Sequence, residues 1–171
     1  MHDCSNRLQH FLNLYRVPYS VIEHAPAFTS QVAAAAMHVP GREMAKAVIL
    51  QGPSQSYMAV LPACYQVDLD RIARAVGEPV KLASEERIRD LFPDCELGAI
   101  PPFGRLYGVE TYVDETLAGE KDIVFPAGSH SDALRMSYQD FQGLAEAEVC
   151  SFAAKTGAKP RKRMPETGRV H

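Results

Sequence analysis

Apolar positions along this chain change period several times, and each change marks an element. In "SNRLQHFLNLYR", residues 5–16, Leu8, Phe11, Leu12 and Tyr15 fall on one helical face, with Ser5 placed as its cap. "PYSVIEH" (18–24) reads as a short strand. "TSQVAAAAMHV" (29–39) reads as a helix capped by Thr29 or Ser30 and stopped at Pro40-Gly41. The apolar runs "MAKAVIL" (44–50) and "SYMAVLPA" (56–63) predict two strands joined by a Gly-Pro turn. Helices follow at 68–77, capped by Asp68 and ended by Gly77, and at 84–92, with Glu85 and Glu86 in the first turn. Short strands "RLYGV", "TYVDE" and "DIVFPA" come next, then the loop "GSHSD" leading to "ALRMS". A last helix over 137–146 has Ser137 and Asp140 at capping-box spacing. Several strands are separated by turns too short for crossover helices, so the pattern predicts an α+β domain with a mixed sheet.

Composition sets the class. A chain of 171 residues, 46% hydrophobic and 23% charged, suits one domain with its own core. It has no apolar stretch of transmembrane length and no signal-like N-terminus, which implies a cytoplasmic protein without a membrane partner. Cys4, Cys64, Cys95 and Cys150 are scattered, with no Cys-x-x-Cys pair, so neither a zinc site nor another metal or cofactor is implied. Four free thiols are the expectation for a reducing compartment. Charge divides the chain: the last 17 residues hold six basic residues and one acid, net +5. The remainder, with 12 basic and 20 acidic residues, stands at −8. The expected division is a domain over 1–153 and a basic tail over 154–171, the tail serving as a nucleic-acid handle or as a solvated terminus.

Three stretches carry candidate chemistry. Lys46 interrupts an apolar strand, where an ammonium needs a partner or an exposed edge. It is either an edge-strand lysine or a point charge in a cleft for a phosphate or carboxylate. "GAIPPFG" (98–104) joins the free backbone of Gly98 to Pro101 and Pro102, which fix φ and remove two donors. The resulting rigid loop is a structural connector or a frame of backbone groups around a small substrate. "AGSHSD" (127–132) places Ser129 and His130 at a tight turn, but adjacency in sequence does not make a catalytic pair.

In this order, these stretches resemble the YbaK/prolyl-tRNA-synthetase-associated family of aminoacyl-tRNA editing domains, from about residue 5 to about 153. The resemblance rests on Lys46 in "MAKAVIL", a G-x-x-x-P loop (Gly98, Ala99, Ile100, Pro101, Pro102) and a G-x-H loop (Gly128, Ser129, His130). "EHAPAFTS", "VDLDRIARAVG", "LASEERI" and "YGVETYVDE" support it. It implies a strongly curved mixed sheet surrounded by helices, and a trans-editing hydrolase that deacylates mischarged tRNA. Lys46 would grip the tRNA 3′ end, Gly98 to Pro102 would frame the aminoacyl group, and His130 would line the same site with Gly128 and Ser129. Phe28 and Thr29 fall in a stretch that commonly lines it. Water would attack the ester with help from a ribose hydroxyl, without a protein nucleophile. The G-x-H loop leans toward a small amino acid such as alanine, on tRNA(Pro). The implied partners are the aminoacyl-tRNA 3′ end and a synthetase, with no DNA. The alternative is a non-catalytic tRNA- or nucleotide-binding module of the same fold that partners a synthetase. A small-ester hydrolase unrelated to tRNA is a third reading, disfavoured by the lack of a G-x-S-x-G elbow.

Overall fold

The computed structural model describes residues 3–155. Most of the basic tail, and the expectation attached to it, lies outside the described residues. Along the chain the first elements are α1 (Asp3–Leu14), β1 (Ser20–Glu23), α2 (Ser30–Ala36), β2 (Ala45–Gln51), β3 (Ser56–Pro62) and β4 (Tyr65–Val67). Then come α3 (Leu69–Val76), β5 (Lys81–Leu82), α4 (Glu85–Leu91), a 3-10 turn (Gly104–Tyr107), β6 (Glu110–Asp114) and α5 (Glu115–Ala118). The chain continues through β7 (Asp122–Ser129), β8 (Asp132–Ser137), α6 (Tyr138–Ala145), β9 (Glu148–Cys150) and β10 (Ala153–Lys155).

The β2–β3 hairpin is the centre of a five-stranded sheet of order β5-β2-β3-β6-β9. β2 pairs antiparallel with β3 and β5, whereas β3–β6 and β6–β9 are parallel, so the sheet is mixed. Every residue of β3 is buried. Its period-2 alternation splits those residues between two cores: Met58 and Val60 on one face, Tyr57, Ala59 and Leu61 on the other. The first face packs Leu8 and Leu12 of α1, Phe103, Phe125 and Phe141. The second packs Ile72 of α3 and Phe152. A three-stranded antiparallel sheet, β1-β8-β7, joins the first through a parallel bridge between Met44 and Val124. A small third core gathers there around Met44, Val124, Ala133 and the inner face of α2, Ala33 and Ala34.

Side-chain caps start these helices much as expected. The Thr29 side chain accepts from Val32 N–H, Asp68 from Asp70 and Arg71, and Ser137 from Asp140. Gly77 closes α3 at φ +88°, in the left-handed region.

Three expectations need correction. α1 begins at Asp3, so Ser5 lies inside its first turn and accepts a hydrogen bond from Gln9 Nε2 at 2.9 Å. "RLYGV" forms no strand. Gly104 sits so close to Val109 O and Thr111 Oγ1 that a Cβ would meet each at 2.5 Å, and Gly108 at φ +71° ends a tight 3-10 turn there. The cysteines are not all free: Cys4 and Cys95 form a disulfide, while Cys64 and Cys150 stay reduced. Folding brings their Cα atoms to 5.1 Å across a separation of 91 residues, a proximity that spacing alone conceals.

Candidate active site

The site is assembled where three chain segments interlock through backbone hydrogen bonds. Gly128 N–H donates to Ala99 O at 3.0 Å, and Glu96 N–H donates to Gly128 O at 2.9 Å. These bonds tie the loop after α4 to the end of β7. Ala27 N–H reaches His130 O at 2.9 Å and His24 N–H reaches Ser131 O at 2.9 Å, which adds the segment before α2. The Glu96 carboxylate accepts the His130 backbone N–H at 2.9 Å. Pairing of this kind leaves these backbone groups satisfied where the loops meet.

A small cavity opens at this junction. Ala27, Thr29, Ala33, Met44, Ala99 and His130 line it, with His24, Ser30, Gly98, Pro126 and Ser129 completing its wall. Its free volume is about 10 Å³ for the centre of a water-sized group, and that is room for one such group. Gly98 has φ +86°, and a Cβ there would stand 3.3 Å from His130 Cε1 and 3.7 Å from Phe28 O. A glycine therefore lets the backbone itself form the wall. The Phe28 ring lies 4.8 Å from the His130 ring, which lines the cavity, and the residue remains 75% exposed.

Lys46 lies in an adjoining cavity of about 230 Å³, lined also by Thr29, Ser30, Gln31, Ala63 and Gln66. Thr29 and Ser30 belong to both cavities, so the α2 start is their common wall. β2 is internal in the sheet order, but β5 pairs only with Leu50 and Gln51. At the Lys46 end the neighbour is instead β7, through the bridge between Met44 and Val124. Val48 and Leu50, two and four residues on, turn into the second core, whereas the Lys46 ammonium reaches the Ala63 carbonyl at 3.5 Å. Partial burial lowers its pKa below the ordinary lysine value, and the neighbouring Cys64 opposes that shift only in part.

The structure thus brings Thr29, Gly98, Ala99, Ser129 and His130 to one cavity, with Phe28 at its rim and Lys46 beside it. It does not bring in the rest. Ile100 is part of the main core, and Pro101 and Pro102 are buried outside the cavity lining, so they stiffen the frame from behind. Gly128 faces the other way: a Cβ there would stand 2.7 Å from Cys4 Cβ. Ser129 Oγ donates to Asp132 at 2.8 Å and braces the turn. Sequence reasoning missed Met44 and Ala33 as lining, and Glu96 as the brace of the His130 amide. Met44 and Ala33 read as ordinary core residues, and Glu96 as a loop acid; only the closeness of the loops reveals them.

Residues 24–144 match the profile of the aminoacyl-tRNA editing domain. The chain belongs to this family. It is 25% identical over 150 residues to the prolyl-tRNA editing protein ProX of Acetoanaerobium sticklandii, covering 84% of this chain and 91% of the relative. A structure presented as a candidate trans-editing enzyme for prolyl tRNA synthetase superposes with TM-score 0.80 at 23% identity, over 90% of this chain and 99% of the other. A hypothetical protein of known structure gives TM-score 0.80 at 20% identity, over 86% and 99%. These two likenesses establish the shared α+β fold. No helix among the described residues is long and apolar enough to cross a membrane.

Proposed function

We propose that this protein is a trans-acting deacylase that hydrolyses the ester of a small amino acid mischarged onto tRNA, with tRNA(Pro) the first candidate. One observation carries the reading: a cavity with room for a single water-sized group shares the wall Thr29–Ser30 with a larger cavity holding an ammonium. The first fits the side chain of a small aminoacyl group. The second fits the phosphate of the terminal nucleotide, with Lys46 as a point charge. The ProX relative and the editing family support the same substrate class.

The reaction needs no protein nucleophile. Water adds to the ester carbonyl, the tetrahedral intermediate collapses, and the ribose oxygen leaves with a proton. The products are the free amino acid and uncharged tRNA. A neighbouring ribose hydroxyl of the substrate assists the proton transfer. The protein contributes position and a fixed electrostatic frame. Gly98 brings backbone to the cavity without an intervening Cβ, His130 forms the facing wall, and Phe28 offers an exposed ring beside His130. A pocket can exclude a larger side chain sterically, while each methylene of difference in binding is worth only about 1–3 kcal/mol. A narrow cavity is therefore suited to clearing alanine-sized errors while sparing larger cognate groups.

The decisive test is deacylation of Ala-, Cys- and Ser-tRNA(Pro) together with Ser- and Ala-tRNA(Thr), with Lys46→Ala alongside. The expected outcome is selective hydrolysis of one member, lost in a variant that keeps the wild-type circular dichroism spectrum and Tm. Full activity of Lys46→Ala would remove Lys46 from the mechanism. Binding of tRNA without hydrolysis of any member would favour a non-catalytic module.

A further inference from the structure

The interlocked loops are fastened to α1 by a covalent bond whose surroundings suit reversible chemistry. Cys95 immediately precedes Glu96, whose amide and carboxylate hold Gly128 and His130. Its partner Cys4 lies in the first turn of α1 and is fully buried. Gly128 packs against it so closely that a Cβ would stand 2.7 Å from both Cys4 Cβ and Sγ. One disulfide thus touches both loops that frame the cavity, one through the chain and one through packing. The Cys95 side is partly accessible. The Tyr107 hydroxyl stands 3.4 Å from Cys95 Sγ and 3.5 Å from Cys4 Sγ, and it donates to Asp94 at 2.8 Å. Arg7 pairs with Asp94 at 3.0 Å and lies 5.2 Å from the centre of the Tyr107 ring. The sulfurs therefore border a polar cluster as well as the core.

We propose that the Cys4–Cys95 pair is a reversible thiol–disulfide exchange site that sets the geometry of residues 96–99 and 128–130. The co-reactant is a small thiol of the glutathione class. Its thiolate attacks the accessible Cys95 sulfur, the Cys4–Cys95 bond breaks, and Cys4 departs as a thiolate that takes a proton. A second small thiol resolves the mixed disulfide at Cys95. Two electrons reach the protein, which ends as two thiols, and the two small thiols end as one disulfide. The oxidised protein holds the Glu96–Gly128–His130 frame in register with Gly98. In the reduced protein, two sulfurs no longer bonded need more room at the point where Gly128 allows none, and the loops part from α1.

The consequence for activity rests on the deacylase reading, so the test has readouts independent of it. Full-length protein, treated with or without dithiothreitol and then alkylated in denaturant, should show by mass two unmodified cysteines without the reductant and none with it. Amide hydrogen exchange at Gly128 and His130 should accelerate on reduction. Deacylation kcat/KM should fall by the order of tenfold, less than the roughly hundredfold that an ångström-scale misplacement can cost. Cys95→Ser should match the reduced protein and ignore dithiothreitol, whereas Cys150→Ser should respond like the wild type. Four free thiols in the air-oxidised protein would overturn the proposal. So would unchanged exchange at both amides on reduction, or a metal ion retained on Cys4, Asp94 and Cys95 in place of the bond. If neither form hydrolyses any aminoacyl-tRNA, the editing reading fails while thiol counts and amide exchange still decide this one.

Discussion

Lys46 places an ammonium inside a largely apolar strand. Its neighbours in period two, Val48 and Leu50, face the second core, yet Lys46 lines a cavity and its ammonium has a carbonyl 3.5 Å away. Burial disfavours the charged form, so its pKa lies below the ordinary lysine range. Anion binding that depends on the ammonium is lost as pH rises through the lowered pKa. Binding of a CCA trinucleotide should therefore weaken at a pH below about 10.4, the unperturbed lysine value. Lys46→Arg should remove that alkaline limb, because a guanidinium stays charged. A flat profile for the wild-type protein would show that Lys46 does not contact the anion.

Among the elements, β6 and its successor α5 depend on Asp114. This buried carboxylate caps α5 through Thr116 N–H at 2.9 Å and receives Phe152 N–H at 2.7 Å and Ala153 N–H at 2.8 Å. It thereby fastens the start of β10 to the end of β6. Burial alone would raise its pKa, but the hydrogen bonds from Phe152, Thr116 and Ala153 outweigh burial and lower it. A depressed carboxylate contributes stability above its unfolded pKa of about 3.9, and that contribution is lost as pH falls through the lower folded value. Asp114→Ala should cost roughly 2–4 kcal/mol at pH 7, since it strands buried amides. Urea denaturation at pH 7 and pH 3 checks this: the gap between variant and wild type should narrow at the lower pH. The sequence foresaw the larger helices and the β2–β3 hairpin, where periodicity is long and caps are explicit. It missed β4, β5, β9 and β10, which are two or three residues long and exist only because a neighbour offers a free edge.

At the scale of the whole molecule, charge and topology meet at β10. Its three residues pair with β4 so that Lys155 stands opposite Tyr65 and Ala154 opposite Gln66. Gln66 lines the Lys46 cavity, so the basic tail starts beside that cavity. Residues 1–154 carry −8 and residues 155–171 carry +5. An acidic body opposes RNA binding, and clustered Lys and Arg supply the counterion-releasing contacts that favour it. Deletion of residues 156–171 should raise KM for charged tRNA several-fold and lower kcat less. It should also reduce the slope of log KM against log salt. An unchanged KM at moderate salt would reject a role for the tail in binding.

By itself the sequence determined what depends on local chemistry. The α+β class follows from alternating periods, the caps from Thr29, Asp68 and Ser137, and the family resemblance from the ordered stretches around Lys46, Gly98 and His130. Tertiary structure decided which of these residues meet. It turned Gly128 toward Cys4, sent Ile100 into the core, made Met44 and Ala33 part of the cavity and joined Cys4 to Cys95. The physical reason is distance. Period and capping are settled within a few residues, whereas contact between residues as far apart as Cys4 and Cys95 is settled by how sheets and loops pack.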